Sequence, residues 1–347
     1  MKRHIFEILS VFCLLALVRP LAAQSPMSVT PSRHYATDMF PGFDLESEIV
    51  SPSKKTPRWF GWITGPKMST ATDQMAWIQS CVSNSSWRTA RKACDALVRA
   101  WPTSPEAPLA QKLMADILLN HELDSIAAFA EYRYLADFYS TQCDYDATLR
   151  QMYEVARLMR AEGKTFCFFH FDNTVDVRRA FEAIVLRAPG ADFAPAALLA
   201  VAELRDDAGD YDQAISDYEN LRNLYAQSDE ARAALHAEGA VRMKALDEHT
   251  YNRPRCQDTI DFLRLALQSS PDVREKPDFE AWLAKAISLL ESEAYQAARF
   301  YDSPTRTRRS AISAYEKFLR EYPASSYTET VRQRLDELRQ DQGEVSK

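Results

Sequence analysis

Glycine is scarce in this sequence. Only 8 of its 347 residues are glycine, about 2% against the roughly 7% of an average protein. Phosphate-binding loops, dinucleotide-binding turns and tight hairpins depend on glycine, because it adopts a positive φ at low cost. The eight glycines form neither a GxGxxG nor a GxxxxGK[ST] pattern. The sequence thus argues against nucleotide enzymes of the Rossmann or P-loop type and, being 46% hydrophobic, favours a mostly helical fold.

Cysteines with metal-binding spacing are also lacking. No CxxC pattern occurs, so the sequence predicts neither a zinc site nor another metal or cofactor. Outside the apolar N-terminus the cysteines are odd in number, so at least one thiol stays free or forms an intermolecular bridge in an oxidising compartment. Pairing of Cys81 with Cys94, and of Cys143 with Cys167, is one hypothesis, because each pair is close along the chain. Buried, unpaired cysteines, with Cys256 among them, are the alternative.

The apolar runs are too short to span a membrane. Residues 8–18 form a mainly apolar run of eleven residues after the basic start Lys2-Arg3, well below the roughly 20 that a transmembrane helix needs. With small residues before Gln24, residues 1–23 are predicted to be a cleaved secretory signal peptide, the alternative being an amphipathic first helix. Cleavage would shift the net charge from −7 to −9. An acidic exported chain has no general attraction for nucleic acid.

Residues 24–70 are rich in proline, which prevents long helices. We expect a leader that is largely extended. Within it, residues 59–63 (WFGWI) form an apolar cluster, which either docks on the first helices or contacts a partner or a membrane interface.

From residue 71 the sequence repeats itself. A small or short residue is followed by larger ones at steps of 4, 3 and 4 residues, and proline follows directly in four of six copies, as Pro102, Pro189, Pro271 and Pro323. The copies are Ala90/Cys94/Leu97/Trp101, Ala128/Tyr132/Leu135/Tyr139, Val177/Phe181/Ile184/Ala188, Ala214/Tyr218/Leu221/Tyr225, Thr259/Leu263/Ala266/Ser270 and Ala311/Tyr315/Phe318/Tyr322. This spacing places the four residues on one stripe of a helix, and the proline ends the helix.

Further amphipathic segments lie between these copies, so each unit is predicted to be a helix pair that must stack on its neighbours to bury its apolar face. The predicted first helices are 72–82, 106–120, 145–161, 194–207, 228–247 and 278–301. The expected fold is all-α, a right-handed α-solenoid of about five to six tetratricopeptide-like helix pairs over residues 71–342, with a tail at 343–347.

Two stretches resemble known families. Gly209-Asp210-Tyr211, followed by Ala214, Tyr218 and Leu221, resembles the tetratricopeptide repeat. Residues 297–325, with the segment Tyr315-Glu-Lys-Phe-Leu319, resemble the BamD family, outer-membrane lipoproteins of tetratricopeptide-like repeats that help to assemble β-barrel proteins. The BamD resemblance is best over 286–340, fair over 194–226 and architectural before that. The sequence departs from that family at Gln24, where a lipidated cysteine would follow the signal.

The BamD resemblance implies a non-catalytic periplasmic scaffold that takes part in assembly and insertion of β-barrel outer-membrane proteins. Its implied partners are other subunits of an envelope assembly complex and unfolded barrel-protein segments, with a peripheral location at the outer membrane. A different exported repeat scaffold, linked to the cell wall or to division, is the alternative.

Stacked helix pairs form a concave surface lined by first helices, which suits an extended peptide or a partner's helix. The predicted lining residues are Leu113, Ile117, Leu199 and Glu203, with core packing as the alternative for each apolar one. The basic segment Arg306-Thr-Arg308-Arg309 is the predicted contact for an acidic partner, or else a solvated loop.

No group of residues makes a convincing catalytic site, so the chain is predicted not to be an enzyme. Cys167 and His170 are the sharpest local candidates for a nucleophile pair and would define a hydrolase, but such pairs need a positioned third group. An aromatic plug is the preferred interpretation of that segment. The carboxylates of Glu203, Asp206, Asp207 and Asp210 crowd a helix end, where a solvated face or cap is expected instead of acid–base chemistry.

Overall fold

The computed structural model describes residue 40 and residues 65–162, 174–248, 252–269, 274–303 and 307–345. These residues form thirteen α-helices and no strand. The helices are α1 Ala71–Ser83, α2 Trp87–Ala100, α3 Ala107–Ile117, α4 Ser125–Phe138, α5 Tyr145–Glu162, α6 Thr174–Arg187, α7 Ala194–Asp207, α8 Tyr211–Leu224, α9 Asp229–Glu248, α10 Arg253–Gln268, α11 Lys276–Tyr301, α12 Arg308–Glu321 and α13 Thr328–Val345. The all-α class and the arrangement in helix pairs are confirmed.

The six predicted first helices correspond to α1, α3, α5, α7, α9 and α11, with ends that differ by at most a few residues. The six copies of the 4-3-4 pattern lie on the second helices α2, α4, α6, α8, α10 and α12. The first three residues of every copy are buried. The pattern is therefore the core-facing stripe of the second helix in each pair.

The fourth residue of the pattern ends the helix. In five copies its backbone N–H donates to the carbonyl oxygen of the third pattern residue, as Tyr139 does to Leu135 at 2.9 Å and Tyr322 does to Phe318 at 2.8 Å. Five of the six second helices are 14 residues long, so pattern and helix end recur in register. The fifth copy closes at Ser270, and both Ser270 and Pro271 lie outside the described residues.

The chain divides into two compact units, residues 1–197 and 198–347. In the first unit each helix from α1 to α6 packs against the next along the chain. A π-helical turn, Leu118–Glu122, follows α3 and ends at Leu123, which adopts a left-handed conformation with φ 55°. The turn is fixed to α2, because His121 stacks on Trp87 with centroids 3.6 Å apart and Arg91 pairs with Glu122 at 2.9 Å.

In the second unit α7 and α8 are joined by a tight turn in which Gly209 has φ 76°. Its N–H donates to the Asp206 oxygen and that of Asp210 donates to the Arg205 oxygen, so the turn also satisfies carbonyls at the end of α7. The predicted turn glycine is confirmed. The half-buried carboxylate of Asp206 binds Lys244 of α9 at 2.7 Å, which gives this acidic cluster a structural contact.

Helix α11 packs into two separate cores, an arrangement that a regular repeat does not have. It is 26 residues long, and Phe279, Ala286 and Leu290 in its N-terminal and central turns belong to a core shared with α9 and α10. Its second half contributes Ala298 to a separate core with α12 and α13. Tyr322 packs against both cores, so α11 joins two stacks of helices within one unit.

The crossing of α9 and α11 depends on Gly239. A Cβ atom added there would lie 2.8 Å from the Trp282 ring and 3.1 Å from Phe279, which is fully buried. We expect Gly239→Ala to lower the free energy of unfolding by about 1–3 kcal/mol, because overpacking outweighs the gain in helix propensity. Urea denaturation followed by circular dichroism measures it.

Gly190 provides the control for that substitution, because a Cβ atom added there would meet nothing within 4 Å. Gly190→Ala should change the stability by less than about 0.5 kcal/mol. Equal effects of the two substitutions would contradict close packing at Gly239.

The remaining sequence predictions concern cysteines and the N-terminal segments. Cys81, Cys94, Cys143 and Cys256 are free thiols, so the structure contradicts the Cys81–Cys94 bridge. Burial, followed by the nearby Asp95 and Cys81, raises the pKa of Cys94 to about 12. Cys167, the signal segment and the cluster 59–63 lie outside the described residues, but Phe40 of the leader is fully buried. None of the described helices is both long and apolar enough to cross a membrane.

Candidate peptide-binding cleft

The first unit contains a cleft of about 500 Å³ between the start of α5 and the loop that follows α6, called here the α5–α6 cleft. Its lining combines apolar, aromatic and charged side chains with loop backbone. The lining residues are Tyr145, Asp146, Leu149, Arg150, Arg187, Ala188, Pro189, Gly190, Ala191, Asp192 and Phe193. Helices α5 and α6 supply Asp146, Arg150 and Arg187, and the loop supplies the fourth charged residue, Asp192.

The floor of the α5–α6 cleft is apolar and rigid. Leu149 and Phe193 are both buried. The Phe193 ring stacks on Tyr153 with centroids 5.1 Å apart, and Tyr153 in turn meets the edge of Phe181, a residue of the core stripe of α6. Because this aromatic series is anchored in the core, the floor is formed before any ligand binds.

Arg187 at the end of the cleft is held in place by Asp137 of α4. Its Nε and Nη2 donate to the two carboxylate oxygens at 2.7 and 2.8 Å, and its Nη1 donates to the carbonyl oxygen of Ala183. Both side chains of this ion pair are at least 94% buried. Burial, ahead of the charge of nearby Arg187, lowers the pKa of Arg133 to about 10. The carboxylate of Asp137 thus compensates the positive charges of Arg187 and Arg133. The main role of Arg187 is therefore structural.

The rim of the cleft carries an ion pair that can exchange partners. Arg150 donates to both carboxylate oxygens of Asp192, at 3.0 and 3.1 Å, and its guanidinium lies 5.3 Å from the centroid of Phe193. Both side chains are more than half exposed. Exposed pairs contribute about 0–1 kcal/mol, so a ligand carboxylate or carbonyl can replace Asp192 at little cost.

The predicted lining residues are placed in different environments. Ile117 is buried with Cys81 and Ala90 in a small core, against which half-buried Leu113 packs. Ile117 is therefore a core residue and is not accessible to a ligand, contrary to its predicted place on the concave surface. Leu199 and Glu203 are half-buried on α7. None of the four lines the α5–α6 cleft.

The basic segment is described in part. Arg306 lies outside the described residues, Arg308 is half-buried at the start of α12, and Arg309 is exposed. Among the closing prolines that the structure describes, Pro189 lines this cleft. In the sequence, a Pro-Gly turn followed by an aromatic residue was the local pattern that could have indicated this loop. The pairing of Arg150 with Asp192, 42 residues away, has no such local pattern.

Catalytic and metal-binding arrangements gain no support from the described residues. Cys167 and His170 lie outside them. Of the histidines that are described, His121 stacks on Trp87 and His236 lies beside Trp282 and Asp278. Within the described ranges no three His, Cys, Asp or Glu side chains are grouped so as to hold a metal ion.

Comparison with known proteins finds a family similarity for one segment. A tetratricopeptide-repeat model matches residues 196–228, which include most of α7 and all of α8. A tetratricopeptide repeat protein from Parabacteroides merdae ATCC 43184 has a solved structure that covers 77% of this chain and 98% of its own, at 12% identity and a TM-score of 0.29. A likeness at that score carries no weight. No curated protein matches the chain. One segment is thus similar to a tetratricopeptide repeat, and the described residues around it form paired α-helices.

Proposed function

We propose that the protein is a non-catalytic scaffold that binds extended peptide segments of partner proteins, with the α5–α6 cleft as one binding site. The observation that carries this proposal is the preformed apolar floor of Leu149 and Phe193 beside the exchangeable Arg150–Asp192 pair. Such clefts, mostly apolar with a few polar groups, are typical of ligand sites.

The chemistry of the cleft favours one kind of peptide. In an extended chain successive side chains point to opposite sides. A segment with alternating apolar and polar residues can therefore direct its apolar side chains to Phe193 and keep its polar ones in solvent, while a backbone carbonyl or a carboxylate meets Arg150. Strands of β-barrel outer-membrane proteins alternate in this way.

The finer proposal is assembly of outer-membrane β-barrel proteins from the periplasm, with export by the N-terminal signal and peripheral association with the outer membrane. The resemblance of residues 286–340 to the BamD family and the tetratricopeptide match at 196–228 support it. Affinity purification from envelope extracts should recover barrel-assembly subunits. Recovery of none of them, together with co-sedimentation with peptidoglycan, would contradict it and favour a cell-wall scaffold.

Peptide binding is tested by Arg150→Ala. A fluorescent extended peptide of alternating leucine and serine with one glutamate serves as the probe, and its anisotropy is measured with the full chain. We expect binding to weaken about fivefold or more, equivalent to about 1 kcal/mol, because the variant removes the cation at the rim.

Arg157→Ala is the matched control. Arg157 is also on α5 and its side chain is 59% exposed, the same as Arg150, but it lies outside the cleft. It should change the affinity less than about twofold. Equal weakening by both variants, or by neither, would argue against this cleft as the binding site.

A further inference from the structure

The outward side of α12 and α13 carries arginines that the fold itself does not use. Arg309, Arg320 and Arg332 are exposed, and within the described part of the chain none of them makes a hydrogen bond or an ion pair. Arg334, by contrast, on another side of α13, binds both Asp302 and Glu337. The free arginines are thus concentrated on one side of this helix pair.

Arg320 and Arg332 line a shallow cleft of about 500 Å³ formed by the two helices. The lining residues are Glu316, Leu319, Arg320, Arg332, Leu335, Asp336 and Arg339. Arg309 lies seven residues before Glu316, two helical turns away on the same side of α12. The residues that line this cleft, together with Arg309, are called here the arginine surface. Tyr315 and Phe318 of α12 point instead into the core.

The arginine surface has an excess of positive charge. It contains four arginines against two carboxylates, one of which, Glu316, already binds Arg339 at 2.7 Å. The whole chain has the opposite sign, with a net charge of −7. Between the arginines lie half-buried Leu319 and buried Leu335, so an apolar strip is flanked by cations.

We propose that the arginine surface docks an acidic amphipathic segment of a partner protein. Its carboxylates would pair with Arg320 and Arg332, and its apolar side chains would lie on Leu319. Arginine suits this contact, because its planar fork binds carboxylates in a bidentate manner. The apolar strip, and the carboxylates of Glu316 and Asp336 among the cations, favour a protein segment over phosphate-rich nucleic acid or lipid.

The test uses the full chain and a fluorescent model peptide of about 14 residues, roughly 21 Å long as a helix. It carries leucines along one side and glutamates on both flanks, and a second peptide has lysine in place of every glutamate. At about 0.1 M salt, where exposed charges still interact over about 10 Å, the glutamate peptide should bind and the lysine peptide should not. The double variant Arg320→Glu/Arg332→Glu should weaken the glutamate peptide at least about tenfold and gain binding of the lysine peptide.

The control double variant, Arg157→Glu/Arg264→Glu, reverses two exposed arginines outside the arginine surface and should change the affinity less than about twofold. Hydrogen exchange of the complex should show protection in α12 and α13. Equal binding of the two peptides, equal loss in both double variants, or protection elsewhere would overturn the proposal. The proposal would also be overturned if binding to anionic phospholipid vesicles required Arg320 and Arg332 while binding of the glutamate peptide did not. The α5–α6 cleft is untouched by these variants, so failure here leaves the proposed peptide site standing.

Discussion

Replacing Asp137 by alanine is expected to lower the free energy of unfolding by about 3–5 kcal/mol, the cost of leaving a buried charge without its partner. Asp137 and Arg187 form a bidentate ion pair in which both side chains are at least 94% buried. Without the carboxylate, Arg187 keeps only its hydrogen bond to the carbonyl oxygen of Ala183.

The loss is increased by Arg133, a second guanidinium in the same region. Its pKa is already lowered to about 10, first by burial and then by the charge of Arg187, while Asp137 acts in the opposite direction. Removing Asp137 leaves two cations close together with reduced access to water. Urea denaturation of the full chain, followed by circular dichroism, measures the change in stability.

Asp192→Ala is the control, because Asp192 also binds an arginine through both oxygens but at an exposed site. It should cost no more than about 1 kcal/mol. The double variant Asp137→Leu/Arg187→Met should recover much of the loss, since hydrophobic residues can replace a buried ion pair. Equal costs for the two aspartates would show that burial of the Asp137–Arg187 pair is not what matters.

The helices could be predicted because their signals are local. The spacing of Ala128, Tyr132 and Leu135 states which side of α4 is buried, and Pro102 and Pro189 mark where helices must stop. Gly209 could be assigned to a turn for the same reason, since few other residues tolerate its positive φ.

The cleft could not be predicted, because it depends on contacts between distant residues. Arg187 faces Asp137 across 50 positions, and Arg150 meets Asp192 across 42. Periodicity marks Ile117 as lying on an inward side but does not state whether that side faces solvent or a neighbouring helix. The double role of α11 is equally invisible in the sequence, because it depends on which distant helices pack against each part of the helix.

The second large effect is expected in the segment that matches the tetratricopeptide model. Tyr218 on α8 is 1% exposed, and Tyr218→Ala should lower the free energy of unfolding by about 3–5 kcal/mol, as truncation of a buried aromatic residue does. If the residues of the 4-3-4 stripe stabilise the helix pairs by filling space, Tyr218→Phe should lower the free energy of unfolding by only about 1 kcal/mol, the contribution of a hydroxyl hydrogen bond.

Leu224 on the same helix is the control position, because it is 55% exposed. It distinguishes a loss of core packing from a general sensitivity of α8 to substitution. Leu224→Ala should cost less than about 0.5 kcal/mol. Because a repeat contacts chiefly its neighbours, the Tyr218→Ala variant should also lose hydrogen-exchange protection first in α8 and in α9, which packs on it. A loss as large in Leu224→Ala, or one that leaves α8 and α9 protected, would mean that Tyr218 does not act through the packing of α8 on α9.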